Sequence, residues 1–388
     1  MEKVVVIIPT YKEKKNIGAM IEFLEKKVFP DISNYNMEIL VVDDYSPDGT
    51  GDIVRDKMKK YKNIRLSSGE RNGIGAAFKR GVFFAKEEMG ADAIIKMDAD
   101  FQHNPYNVID LVKKYHDGYD YVIGSRFIKG GSVPKEWGIY RRFLSKYGGL
   151  FTRVLLFFPN INIVKDVSSG LKLASIKNII CKIDFSKISN GFYYTTQLLY
   201  QVVKMEAKFI EIPIGFKLRS AGDTKMPFSN TIGTFVAMVI LGLRSHETLK
   251  FIKFCIVGFS GYLINAVAME GLYRLGISLG LSAAIGTELA IISNFSLNNI
   301  WTYSKEKITG FRNIIKKFFQ FNIAILGAVL IQGLIVKGLA HFFGNQFRQF
   351  YLVIAIVFFV IPYNYTMYNI FIWRTWKIQS IERLLRRK

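Results

Sequence analysis

The sequence predicts a doubly wound α/β domain with a mostly parallel sheet, followed by an all-α transmembrane domain of four helices. Three observations predict it. Short β-rich runs alternate with helical patterns as far as residue 228, and long apolar stretches replace them beyond it. Several of the early apolar runs also end in polar, carboxylate-bearing turns. In such a sheet ligands bind beyond the carboxyl ends of the strands, so those turns are where chemistry is expected.

The strand candidates in chain order are VVVIIPT (4–10), EILVVDD (38–44), NIRLSS (63–68), AIIKMDAD (93–100) and YVIGSR (121–126). Helical patterns fill the gaps at Asn16–Lys27, Asp52–Tyr61, Gly73–Met89 and Pro105–Tyr115. Four polar clusters fall at strand ends: PTYKE (9–13), DDYSPDGT (43–50), DADFQ (98–102) and GSRF (124–127). Were the chain to stay extended after Ile95, Asp98, Asp100 and Gln102 would project from one face and set three oxygen ligands side by side. RNGIGAA (71–77) lacks the final spacing of a dinucleotide fingerprint and reads as a close-packed helix start.

Beyond Phe228–Leu243, an amphipathic stretch suited to a membrane surface, spans are expected at about 251–273, 280–301, 318–343 and 351–373. NFSLNNI (294–300) and NYTMYNI (364–370) repeat one pattern near the ends of the second and fourth spans, which implies a duplicated two-helix hairpin whose amides bond between helices. Glu270 and Glu288 are costly there unless paired or wet, with Lys337 a candidate partner. The expected divisions are therefore 1–227, an interfacial piece 228–248, four spans within 249–376, and a basic tail 377–388.

The chain has 53 Lys and Arg against 31 Asp and Glu, and the excess is divided. Residues 229–388 hold 17 basic and 5 acidic residues, the rest 36 and 26, and the densest basic runs flank the spans. Membrane lipids with anionic headgroups, and no nucleic acid, are the expected partners of those runs. The loop with Lys305, Lys307, Arg312, Lys316 and Lys317 and the tail mark the cytosolic side, so both termini and the first domain are expected in the cytosol. No secretory signal is recognised at the start. Cys181 and Cys255 are too isolated for a disulfide framework or a cysteine metal site.

PTYKE, DDYSPDGT and MDADFQHNP resemble the signatures of glycosyltransferase family 2, whose members adopt the Rossmann-like GT-A fold. GSRFIKGG, YRRFLS, DVSSG and FKLRSAGDTK are similar to its polyprenyl-phosphate hexosyltransferases, and FIKFCIVGFSGYLIN with NFSLNNIWTY resembles the GtrA-like membrane domain. The resemblance implies transfer of mannose from GDP-mannose to dolichyl or another polyprenyl phosphate with inversion. It places Pro9, Tyr11, Glu13, Val42, Asp44 and Ala99 around the donor, and Asp98, Asp100 and Gln102 on Mg²⁺ or Mn²⁺. Arg219 and Lys225 would meet the donor diphosphate.

Arg126, Arg141 and Ser145 would hold the acceptor phosphate, the last two lying four apart on one helix. Asp100, Arg126 and Arg141 are the expected catalytic residues. A lipid phosphate is already an anionic nucleophile, so a base role for Asp166 is unnecessary, and Asp166, Ser169 and Gly170 would shape the acceptor channel. Two other readings stay open: the same reaction with UDP-glucose, and a non-catalytic membrane protein that binds or translocates lipid phosphates.

Overall fold

The computed structural model describes every residue except 158–159, 206, 219–227, 244 and 377–388. Arg219, Lys225 and the basic tail therefore lie outside the described residues. The chain divides into two compact units, Met1–Gly242 and Leu243–Lys388.

The first unit runs β1 (Lys3–Thr10), α1 (Ile17–Phe23), β2 (Asn36–Asp43), α2 (Thr50–Lys60), β3 (Ile64–Ser68), α3 (Ile74–Glu87), β4 (Ala93–Lys96), α4 (Asn107–His116) and β5 (Tyr121–Ser125). It continues with α5 (Ile139–Phe157), β6 (Lys172–Ser175), α6 (Tyr194–Lys204), β7 (Phe209–Pro213) and α7 (Phe228–Leu243). The strands form one sheet in the order β3-β2-β1-β4-β6-β5-β7, parallel except for β6, which runs antiparallel to both β4 and β5. This is the mostly parallel GT-A-type sheet expected.

Both sheet faces are covered, which explains why β1 and β2 read as unbroken apolar runs. Val5, Ile7, Leu40 and Val42 point to one core with Phe78 and Val82 of α3 and Leu198, Leu199 and Val202 of α6. Their neighbours Val4, Val6, Ile8, Ile39 and Val41 point to the other, with Ile17, Met20, Val54 and Leu111. RNGIGAA opens α3 as a close-packed start. Gly73 has φ +99°, and a Cβ on Gly75 would collide with the backbone carbonyl of Ser189.

α7 packs against α5 within this unit. Phe151 and Phe235 stack at 4.9 Å, and Thr152 Oγ1 donates to Met238 Sδ at 2.9 Å.

The second unit contains α8 (His246–Arg274), α9 (Leu279–Leu297), α10 (Phe311–Phe343), α11 (Arg348–Ala355) and α12 (Ile361–Met367). π-helical turns extend α9 over Asn298–Thr302, join α11 to α12, and carry the fourth span to Ile372. The four spans, Glu247–Arg274, Leu279–Thr302, Phe311–Phe343 and Arg348–Ile372, have mean hydropathies of 1.2 to 2.1. Only 11–22% of their most apolar windows is covered by protein, so the rest needs lipid. The chain is an integral membrane protein.

The sequence repeat becomes a reciprocal clasp at one end of this bundle. Asn299, in the first copy, accepts from the Trp373 indole at 3.0 Å, and Asn369, its counterpart, donates to the Tyr303 hydroxyl at 3.1 Å. Tyr303 and Trp373 stack face to face at 4.2 Å between them.

Candidate functional site

The register Pro9↔Val42 and Thr10↔Asp43 brings the ends of β1 and β2 level. Tyr11 follows β1 and lies under the Arg71 guanidinium, 3.9 Å from ring centroid to carbon, an aromatic and cationic surface suited to a nucleotide. Glu13 Oε2 accepts from Asn16 Nδ2 at 2.8 Å and is thereby oriented. Asp44 accepts from Arg80 Nη2 at 2.7 Å. Burial raises the Asp44 carboxyl above its ordinary range even against Arg80.

Asp43 is structural. Its carboxylate collects the Thr10 hydroxyl at 2.9 Å and the Ser46 amide and hydroxyl at 2.9 and 2.6 Å. The side chains of Val42 and Ala99 are buried among apolar neighbours, so only their backbone groups can meet a donor.

The DAD segment departs from its expected geometry. β4 stops at Lys96, and the chain then turns, with Phe101 at φ 59°, so Asp98, Asp100 and Gln102 are not alternate residues of a strand. The turn is held by hydrogen bonds within itself and to Lys217. Asp100, 3% exposed, accepts the Gln102 amide at 3.1 Å, and Gln102 Nε2 reaches the Lys217 carbonyl at 3.3 Å.

Asp98 accepts from the buried Lys96 ammonium at 2.5 Å, and the imidazole of His103 lies 3.8 Å from its other oxygen. Burial opposes the Lys96 charge, but Asp98 outweighs it and holds the ammonium above its usual range. His103 is pushed down to about 4, chiefly by burial, and is neutral at physiological pH. Gly170 closes this corner, for a Cβ there would lie 3.0 Å from Asp98 Oδ2.

Among the described residues no three His, Cys, Asp or Glu side chains gather as a metal cage. Two carboxylates and a carboxamide oxygen still fit Mg²⁺ or Mn²⁺, which take few protein oxygens and complete their shell with phosphate and water.

Arg126, after β5, is spent differently from expectation. Its Nε and Nη2 donate to the two oxygens of Asp166 at 2.7 Å each, its amide adds a third bond at 2.9 Å, and Nη2 also meets Ser168 Oγ at 2.9 Å. Burial alone would raise the Asp166 carboxyl, but Arg126 reverses this and holds it below the usual range. A fully buried, ionised carboxylate already accepting these bonds is a poor base. It anchors Arg126 through Nε, Nη2 and the backbone amide. Ser169 is structural, bonding the Gly124 carbonyl at 2.5 Å.

Arg141 and Ser145 stand on α5. The Arg141 guanidinium lies over Trp137 at 4.1 Å, Trp137 meets Phe216 edge-on at 5.6 Å, and Phe216 meets His103 edge-on at 5.0 Å. Phe216 also lies 5.3 Å from the Arg126 guanidinium. This row of rings connects the arginine side of the site to the DAD turn.

Sequence reasoning missed Arg71, Arg80, Lys96, His103 and Phe216. Lys96 alone advertised itself, as a charge inside an otherwise apolar strand.

Residues 5–179 match the profile of glycosyl transferase family 2, and residues 253–373 that of the GtrA/DPMS transmembrane domain. The chain is 32% identical to the dolichol-phosphate mannosyltransferase of Pyrococcus furiosus over 362 residues, 93% of this chain and 97% of that protein. It is 31% identical to the polyprenol monophosphomannose synthase of Mycolicibacterium smegmatis over 63% of this chain and 88% of that one. The crystal structure of mannosyl-3-phosphoglycerate synthase from Rubrobacter xylanophilus superposes with a TM-score of 0.47 at 18% identity, covering 63% of this chain and 74% of that one.

Proposed function

The chain belongs to glycosyltransferase family 2, with a GtrA/DPMS transmembrane domain, and from that membership we propose that it transfers mannose from GDP-mannose to dolichyl or another polyprenyl phosphate. One observation carries the reading. Similarity to a protein described as a dolichol-phosphate mannosyltransferase extends through both units, over 97% of that protein's length.

Tyr11 with Arg71, and Glu13 and Asp44 near the ends of β1 and β2, would receive the nucleoside. Asp98, Asp100 and Gln102 would hold Mg²⁺ or Mn²⁺, which when bound offsets the charge of the departing diphosphate. An oxygen of the acceptor phosphate attacks the anomeric carbon of mannose as the bond from that carbon to the diphosphate breaks. The electron pair leaves with GDP, the configuration inverts, and no proton need be removed. Arg126, fixed by Asp166, and Arg141 with Ser145 would align the attacking phosphate.

α5 exposes Phe143 and Val154, and α7 exposes Phe235 and Ile240, which supports both helices lying at the membrane surface with Arg141 at headgroup depth. Arg219 and Lys225, just before α7, are assigned to the donor diphosphate by family resemblance alone. The cation-rich loop after α9 supports a cytosolic catalytic unit.

The test is sugar transfer into the organic phase by purified protein, from GDP-mannose or UDP-glucose, with Mg²⁺, Mn²⁺ or chelator. Metal-dependent transfer from GDP-mannose alone is expected, and Asp100→Asn should lower it by roughly two orders of magnitude or more while the protein still inserts into membranes. Transfer only from UDP-glucose would correct the donor. Transfer that survives chelation would remove the metal. No transfer from folded protein would favour a lipid-binding or translocating role.

A further inference from the structure

The second membrane hairpin carries cations that it does not neutralise. Residues 307–381 contain no Asp or Glu, yet α10 places Lys337 less than two turns from its end at Phe343. A lysine at such a depth is costly unless it meets a counter-charge or water.

Lys337 lines an open cleft of about 680 Å³ with Gln332 and His341 of α10, Asn345 in the following turn, and Arg348 at the start of α11. Gly333 and Ala340 leave room between them. Among the described residues Lys337, His341 and Arg348 make no ion pair, whereas the same end of the first hairpin is internally neutral: Arg274 Nε donates to Glu270 Oε1 at 2.7 Å. The duplication thus supplies its own comparison. One copy pairs its charge, and the other leaves two fixed cations, an imidazole and two carboxamides facing a cleft with no carboxylate.

Chain direction fixes which end this is. The start of α8 lies with the clasp, for Lys250 sits 5.6 Å over the Tyr303 ring. The cleft lies at the far end of α10, a full span away from the start of α8.

We propose that this cleft binds the phosphate headgroup of an anionic glycerophospholipid in that leaflet, its acyl chains lying along α10. The two cations and the amide donors suit phosphate oxygens, and the uncovered apolar surface of α10 suits the chains. A bulk membrane lipid is the assigned occupant rather than the acceptor, because the cleft lies a full span of α10 away from the cation-rich loop that marks the proposed cytosolic side.

The test compares the full-length protein with a Lys337→Gln/Arg348→Gln double variant in phosphatidylcholine nanodiscs. The discs are doped with phosphatidylglycerol or with polyprenyl phosphate, and retained lipids are counted by native mass spectrometry. The variant should retain phosphatidylglycerol with roughly tenfold lower affinity, while sugar transfer stays unchanged. If the double variant does not fold, Arg348→Gln alone, at an exposed helix start, should give a smaller loss of the same kind. Equal retention by variant and parent would overturn the proposal. So would a preference of the parent for polyprenyl phosphate, or displacement of the bound lipid by millimolar inorganic phosphate as readily as by phosphatidylglycerol.

Discussion

The buried lysine pair beneath the DAD turn makes a residue-level prediction. Lys172 of β6 stands in register with Lys96 of β4, and like charges opposite one another in a sheet repel. Burial, with Lys96 and Arg126 adding repulsion and Asp166 opposing, pushes the Lys172 ammonium from 10.5 down to about 7. The unfolded chain therefore binds a proton more readily than the folded one between those values. Protonated Lys172 weighs against the fold below pH 7, and that cost fades as pH rises towards 10.5. Lys172→Met should stabilise the protein, by about 1–4 kcal/mol below pH 7, with the gain shrinking at higher pH. Chemical unfolding at pH 6, 8 and 10 measures this, and a gain that grew with pH would refute it. The carboxylates of the DAD turn were legible because two of them interrupt a chain rich in lysine. The partners of Arg126 and Asp44 were not, because Asp166 and Arg80 lie 40 and 36 residues away and meet them only once the sheet is assembled.

Among the elements, the parallel strands were legible from their unbroken apolar runs and the spans from their length. β6 was not. It is four residues long, begins with a lysine, and enters between β4 and β5 in the reverse direction, a position set by its neighbours rather than by its own pattern. The repeated asparagines were legible as a pair of motifs, but their roles divide within each motif. Asn369 bonds Tyr303 at 3.1 Å, the Tyr365 carbonyl at 2.7 Å and Thr375 at 2.5 Å, whereas Oδ1 of Asn364, five residues earlier, is buried without a partner. Interhelical hydrogen bonds in membranes contribute about 0.6 kcal/mol each on average. Asn369→Ala should therefore cost the membrane unit about 1–2 kcal/mol, and Asn364→Leu should be neutral or stabilising. Unfolding of the full chain in mixed micelles would separate them, and equal losses would mean that the clasp is not what holds the two hairpins together.

At the scale of the whole molecule, one chain joins a sheet suited to a water-soluble nucleotide to a bundle whose apolar surface is left for lipid. Anchoring confines the protein to the same two-dimensional phase as its proposed acceptor, so encounter depends on the surface density of polyprenyl phosphate rather than on its amount per volume of buffer. Effective concentration then does the work that tight binding would otherwise have to do. Diluting the acceptor with inert phospholipid at constant bulk concentration should lower the initial rate in proportion while the membrane is unsaturated. A short, water-soluble isoprenyl phosphate should escape this dependence, with a higher KM in bulk terms and a kcat within a few-fold of the long acceptor, because the reacting phosphate is the same. Should the short acceptor also lose kcat by orders of magnitude, the chain must contribute at the transition state, and the membrane unit would have to be a part of the catalytic machinery rather than its anchor.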